Sequence, residues 1–296
     1  SSLSGEHRAS VLKAFADERS SLEGSILKQL CDGDANFAQA VLEATSGRWL
    51  LDIKRTGKFK CRGVKQGFKE DKNFADGPDF NYYAHVAKLI SMRSALFRPR
   101  RRNRRLAVKD ISTAFLQSHP YPDGQKKFLK MKNPVTGEWE YFEQSGPIYG
   151  EASAPVRWED TIAPWLVEQG FERGKNDPCV FYHVERALLV LLYVDDCLMD
   201  GAEEDVQWMD ALLDTRFKCK ESDWLTEDNP LDYIGMDLLL KGDRLHLSME
   251  KYALQTIALF EDEGVKPDTV PIRHPVETDS PPLPPLKRRK WMTGMG

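Results

Sequence analysis

One stretch, Ala187-Leu-Leu-Val-Leu-Leu-Tyr-Val194, constrains the fold more than any other. At eight residues it is the longest apolar run in the chain. That is far short of the about 20 residues a membrane-spanning helix needs. Leu188–Val194 reads instead as a β-strand apolar on both faces, and such a strand is buried on both sides of its sheet. Asp195-Asp196 follows directly, and Cys197-Leu198-Met199 turns apolar again. The expectation is a hairpin whose tip carries two adjacent carboxylates on a rigid support.

A chain of 296 residues with 41% hydrophobic content can build the core such a strand needs. At roughly 150 residues per domain the length suggests about two compact units. No N-terminal apolar segment resembles a signal peptide. The five Cys stand at 31, 61, 179, 197 and 219 with no Cys-x-x-Cys pair, and the six His are scattered. That spacing argues against a disulfide framework and against a structural zinc site, and points to a reducing, intracellular setting.

The net charge of −4 conceals segregation. Residues 54–72 hold eight Lys/Arg against two acids, and Arg98–Arg105 holds six Arg and no acid. Residues 195–232 hold thirteen Asp/Glu against three Lys/Arg. Each basic run alone reads as a solvated face. Two of them upstream of an acidic one suit a chain that holds polyanions and metal ions in one cleft.

Local patterns give the expected elements. Residues 1–48 are polar and helix-prone, with helical spacing at Leu22, Ile26, Leu27 and Leu30, and no chemistry is evident there. Residues 49–53 and 58–64 read as a basic hairpin, and 84–97 as a helix. Leu106–Asp110 is a short strand ending in a carboxylate, followed by a short helix over Ser112–Gln117. Strands are expected at 128–131 and 139–142. A helix begins at Pro155, with Pro164 expected to kink or split it. Cys179–His183 and Leu188–Val194 are strands, Ala202–Phe217 an amphipathic helix, Tyr233–Leu240 and Leu245–Leu247 a strand pair. A helix capped by Ser248 runs to Gly264. The Pro-rich 271–285 and the basic Lys287–Lys290 read as an extended tail.

Asp110, Asp195 and Asp196 carry the chemistry. Hard cations such as Mg²⁺ bind through a few carboxylates and leave room for substrate phosphates. An isolated Asp-Asp would read as a turn dipeptide, but Tyr193-Val194-Asp195-Asp196 is a much rarer string. The chain resembles the reverse transcriptase of copia-type retrotransposons through a series of blocks in order. These are Lys60–Phe68, Phe80 with Val86–Arg93, Asp110–Leu116, Tyr149-Gly150 with Ala154-Pro155 and Trp158, Gly170-Phe171, Asp177-Pro178 with Phe181, Tyr193–Asp196, Asp232–Met236, and Leu247-Ser248 with Lys251-Tyr252. They span about 49–273.

The resemblance implies an α/β (α+β) fold: a right-hand polymerase palm, an antiparallel sheet backed by helices, with fingers and a partial thumb. The expected divisions are an arm over 1–48, basic fingers over 49–105, palm over 106–240 (128–150 could belong to the fingers), partial thumb over 241–270 and tail over 271–296. Implied metal ligands and catalytic residues are Asp110, Asp195 and Asp196, holding two Mg²⁺ ions, with Mn²⁺ as the implied substitute. Implied dNTP contacts are Arg62, Lys60, Lys65, Ser153 and Phe115, the last as the aromatic that excludes a ribose 2′-OH. Tyr193, Ile234, Gly235, Met236, Arg98, Arg100 and Arg101 are the implied primer and template contacts. The implied partners are an RNA or DNA template with primer, and dNTPs, with no membrane. The implied setting is cytoplasmic, in a virus-like particle, or nuclear.

Three departures from the family pattern stand out. Glu151-Ala152-Ser153 replaces Leu-Lys-Gln, and Val156 replaces an Arg. The family continues into a ribonuclease H domain, so no such activity is expected of this chain. These departures leave an alternative open: a degenerate retroelement relic that binds nucleic acid without catalysis.

Overall fold

The structure, a computed structural model, describes residues 5–53, 57–70, 76–97, 104–122, 125–242 and 244–258. The chain divides into two compact units, Ser1–Trp224 and Leu225–Gly296. The mixed α/β character expected from the sequence is present. Among the described residues every strand pairing is antiparallel except that of β2 (Thr45–Ile53) with β5 (Lys127–Lys132).

The first unit holds two sheets. The five-stranded sheet runs β1 (Leu27–Leu30), β6 (Trp139–Gln144), β5, β2 and β3 (Phe59–Lys65) in spatial order. Residues 1–48 are therefore not a separate arm: β1 completes this sheet, pairing Leu27 with Gln144 and Leu30 with Tyr141. The spacing of Leu27 and Leu30 had suggested a helix. Instead the helix Gly5–Glu23 ends in a turn, and both ends of β1 are buried. Strand β2 begins at Thr45, so Gly47 lies within it, where a Cβ would come within 2.9 Å of Leu129 and Met131.

The six-stranded sheet runs β11 (Asp223–Trp224), β4 (Arg104–Asp110), β10 (Asp196–Ala202), β9 (Leu188–Tyr193), β8 (Val180–His183) and β7 (Glu172–Arg173). Strand β9 is covered on both sides, as its composition demands. On one face Leu188, Val190 and Leu192 join Trp158, Ile162 and Leu166 of the helix Ala154–Glu168 and Val206, Met209 and Leu213 of the helix Glu203–Arg216. The helix Leu89–Leu96 also lies against β9. Burial of such side chains at about 25 cal/mol per Å² is the main force fixing these central strands.

Two expectations need correction here. Pro164 does not split its helix, which runs unbroken over Ala154–Glu168. Pro164 is exposed while Ile162, Ala163 and Leu166 are buried, so the ring faces water and the packed side holds the helix together. The helix expected from 84 begins only at Leu89. Upstream, the backbone N–H of His85 donates to Glu159 Oε2 at 2.7 Å and that of Lys88 to Asp177 Oδ2 at 2.8 Å. Distant carboxylates thus take the donors that a helix would have used.

The second unit is a three-stranded sheet of β12 (Leu231–Tyr233), β13 (Met236–Lys241) and β14 (Arg244–Ser248), followed by the helix Glu250–Ala258. The single strand expected over 233–240 is a hairpin. Ile234 and Gly235, at φ +52° and +73°, form its two-residue turn. Successive positive φ values match the twist of paired strands. The Pro-rich tail lies outside the described residues.

Candidate active site

Strands β9 and β10 meet in a turn of two residues, Val194 and Asp195, because Tyr193 already pairs with Asp196. The carboxylates are therefore not both at the tip: Asp195 is in the turn and Asp196 opens the returning strand. Asp196 is also the register partner of Asp110 at the end of β4. Directly opposed residues of an antiparallel pair project from the same face, so Asp110 and Asp196 stand side by side. The N–H of Ile111 donates to the backbone O of Asp195 at 2.8 Å, closing the group.

Three supports fix these backbones. The indole Nε1 of Trp158 donates to Val194 O at 2.7 Å. Lys109, 1% exposed, donates to Asp210 at 2.7 Å and Asp214 at 2.9 Å, tying the end of β4 to the helix beneath it. Residues 110–112 are bridged to 218–220 by Ser112 N–H to Lys218 O and Lys220 N–H to Asp110 O, each 2.9 Å. That bridge brings the Lys220 ammonium to 2.5 Å from Asp110 Oδ2.

Asp110 and Asp195 line one polar cavity of about 170 Å³. Lys60 and Arg62 of β3 line it too, as do Glu18, Ser112, Thr113, Tyr149 and Lys220. The site thus joins the edge strand of one sheet to the central hairpin of the other. Burial raises the pKa of Asp195, and the charge of Asp110 raises it further, against the pull of Lys220 and Arg62. The Tyr149 hydroxyl is pushed up to about 12, by burial first and then by the negative charge of Asp195 and Glu18. Two carboxylates that repel each other beside an ammonium fit a cation-binding role, because a divalent ion relieves that repulsion.

The expected site residues are distributed unevenly. Asp110, Asp195, Lys60 and Arg62 come together. Phe115 adjoins them, its ring meeting Tyr149 edge-on with centroids 5.3 Å apart. It also lines an apolar cavity of about 410 Å³ with Trp158 and Val194, behind the turn. Tyr193 ends β9, one residue before the turn. Ile234, Gly235 and Met236 lie in the second unit, and Arg98, Arg100 and Arg101 lie outside the described residues.

Lys65 and Ser153 are not brought to the cavity. Lys65 is 2% exposed and its ammonium donates to Glu70 at 2.6 Å. Ser153 is fully buried and donates to Glu151 at 2.7 Å. Both belong to a buried ionic network. Lys127 reaches Glu151 and Asp76 at 2.8 Å each, Arg157 reaches Asp76 at 2.9 Å, and the Tyr121 hydroxyl donates to Glu151 at 2.7 Å. Burial alone would raise the Glu151 pKa, but Lys65, Lys127 and Ser153 hold it below the ordinary value. Among the described residues, the group of three acids whose ligand atoms fall within 4.8 Å of one another is Glu70, Asp76 and Glu151. Lys65, Lys127 and Arg157 already neutralise it, so it reads as a connector rather than a metal centre.

Sequence reading did not single out Glu18, Thr113, Tyr149 or Lys220 as site residues. Tyr149 sits in a block that carried the resemblance, and Lys220 is a rare base in the acidic stretch. Glu18, on a polar helix, had no sequence signal.

Comparison with known proteins adds sequence kinship to this geometry. Residues 42–274 match the family profile described as Reverse transcriptase (RNA-dependent DNA polymerase). The chain is similar to the Retrovirus-related Pol polyprotein from transposon TNT 1-94 of Nicotiana tabacum, 24% identical over 91% of this chain and 20% of the relative. It is also similar to that from transposon RE2 of Arabidopsis thaliana, 26% identical over 76% of this chain and 16% of the relative. The chain thus spans a fifth or less of the length of these relatives. A solved telomerase from Candida albicans aligns at a TM-score of 0.49 with 8% identity, covering 85% of this chain and 55% of that one. No helix among the described residues is long and apolar enough to cross a membrane.

Proposed function

This chain belongs to the reverse transcriptase family of copia-type Pol polyproteins, and on that premise we propose that its cleft performs RNA- or DNA-templated DNA synthesis by two-metal nucleotidyl transfer. The observation that carries the reading is the meeting of Asp110 and Asp195 with Lys60 and Arg62 in one cavity. Asp110 and Asp195, supported by Asp196, would hold Mg²⁺ or Mn²⁺. When bound, such ions activate an attacking hydroxyl and neutralise a departing pyrophosphate.

The chain's own residues supply the remainder. Lys60 and Arg62 face the carboxylates and bind triphosphate oxygens, Arg through its planar fork. Phe115, braced by Tyr149, stands beside the cleft where it would exclude a ribose 2′-OH. Lys220 keeps Asp110 charge-balanced, a role that a bound divalent ion would share. Tyr193 adjoins the turn at the primer terminus, and Ile234, Gly235, Met236, Arg98, Arg100 and Arg101 serve as primer and template contacts. The partners are a primed template and dNTPs, and the setting is intracellular.

The alternative relic drew support from the altered 151–153 segment. Glu151 and Ser153 are buried, Glu151 accepting hydrogen bonds from Lys127 and Ser153, which supports a structural role for that change over decay. The test is primer extension by the purified chain on a primed homopolymer RNA, with generous dNTP and Mg²⁺ or Mn²⁺. Extension is expected. Binding of the primed template without extension would favour the relic.

A further inference from the structure

The helix Gly5–Glu23 lies along β3, an edge strand of the five-stranded sheet. Its close approach depends on Gly63, where a Cβ would come within 2.6 Å of Leu22 and 3.1 Å of Trp49. Phe15 meets Trp49 edge-on at 4.8 Å, and Leu22 is fully buried. At that range Glu18 Oε1 accepts a hydrogen bond from Gly63 N–H at 3.0 Å, satisfying a donor on the sheet edge. The same side chain lines the cavity that holds Lys60, Arg62, Asp110 and Asp195. Burial raises the Glu18 pKa, while the Gly63 N–H and the charges of Lys60 and Arg62 oppose that rise. The charge of Arg62 also reaches Asp195.

Arg62 shares one cavity with two carboxylates, Glu18 from the helix and Asp195 from the turn between β9 and β10. A guanidinium with one carboxylate nearby pairs with it, and the fork geometry makes the pairing persistent. A second carboxylate divides that attraction. We propose that Glu18 is a positioning residue of the nucleotide site, holding Lys60 and Arg62 to the helix side of the cleft so that they do not close on Asp110 and Asp195. The carboxylates are then left for divalent metal and the cations for a triphosphate. This rests on the reading of the cleft as a nucleotidyl-transfer site.

The test measures dNTP affinity without turnover. The chain is bound to a primed template whose primer ends in a dideoxynucleotide, and the next complementary dNTP is titrated with Mg²⁺. Glu18→Gln keeps an oxygen acceptor for the Gly63 N–H but removes the charge. It is expected to weaken dNTP binding roughly three- to tenfold, the range of partly exposed ion pairs and interfacial charges, and to raise the Mg²⁺ requirement while Tm stays near that of wild type. Glu18→Asp should fall between. Adding Glu18→Gln to Arg62→Gln should weaken binding by less than it does in wild type. Unchanged or tighter dNTP binding by Glu18→Gln, or full additivity with Arg62→Gln, would overturn the proposal. If Glu18→Gln does not fold, Glu18→Asp carries the same comparison. Wild type that binds no dNTP would overturn the nucleotidyl-transfer reading and this inference with it. Wild-type binding that is indifferent to Glu18 would overturn the inference alone.

Discussion

Trp158 holds Val194 by a single hydrogen bond, indole Nε1 to backbone O at 2.7 Å. Val194 sits at φ +57°, a region that β-branched residues avoid. Such a conformation costs on the order of 1–3 kcal/mol and persists only where its surroundings enforce it. Trp158→Phe keeps most of the buried ring and removes the donor, a net loss of about 1 kcal/mol. It should lower kcat for primer extension more than it raises KM for dNTP, because the turn that carries Asp195 loses its tether. Steady-state kinetics beside thermal unfolding check this. An equal loss of stability with kcat unchanged would contradict it.

Asp195 should weaken the fold that it serves. Burial and the Asp110 charge raise its folded pKa above the unfolded value. A carboxyl with a raised folded pKa favours the fold while protonated, and that contribution is lost as pH rises from the unfolded through the folded value. Asp195→Asn is therefore expected to unfold at a higher temperature than wild type at pH 7, with the gap closing as pH falls into the carboxylate range. The variant should be inactive in extension. A lower Tm at pH 7 would contradict the charge repulsion.

The Glu151 network has the opposite sign. Its folded pKa lies below the ordinary carboxylate value despite burial, because Lys65 and Lys127 surround it. The stability it contributes is present above the unfolded pKa and is lost as pH falls through the folded one. Glu151→Gln leaves two buried ammonium groups undercompensated and should cost about 3–5 kcal/mol at pH 7. Denaturant unfolding at pH 7 and at acid pH checks both the size and the narrowing of the difference.

Primed-template binding should depend steeply on salt. Affinity built on Lys and Arg contacts to phosphates falls linearly in log–log form as counterions are released. Fluorescence anisotropy with a labelled primer, from low to physiological salt, measures the slope. Arg100→Gln and Arg101→Gln should each make it shallower. A flat response would exclude phosphate contacts by these residues.

The sequence made the central hairpin legible because Leu188–Val194 is apolar on both faces and ends in Asp195-Asp196. Local pattern and strand register say the same thing there. It misled at Leu27–Leu30, where three-residue spacing suits a helix, because pairing with Tyr141–Gln144 decides the outcome. The start of the helix at Leu89 was illegible for a similar reason: Glu159 and Asp177, more than seventy residues away, take the backbone donors of His85 and Lys88. Within the site, Asp110, Asp195, Lys60 and Arg62 were legible from motif order. The motif order places Lys65 and Ser153 at the nucleotide, but they face a buried network that draws together residues as distant as Lys65, Lys127 and Arg157. Glu18 was silent because a lone acid on a polar helix looks like solvated surface until the helix is docked on Gly63.

The most direct measurement is Mn²⁺ binding to the purified chain with primed template and dNTP, followed by electron paramagnetic resonance of the free ion. Wild type should sequester Mn²⁺ in the presence of dNTP. Asp110→Asn and Asp195→Asn should each lose that binding while still holding primed template. Glu151→Gln, at pH 7 and a temperature where it remains folded, should bind Mn²⁺ as wild type does. Mn²⁺ binding that survives both aspartate substitutions, or that disappears with Glu151→Gln alone, would contradict the assignment of Asp110 and Asp195 as the metal-binding pair.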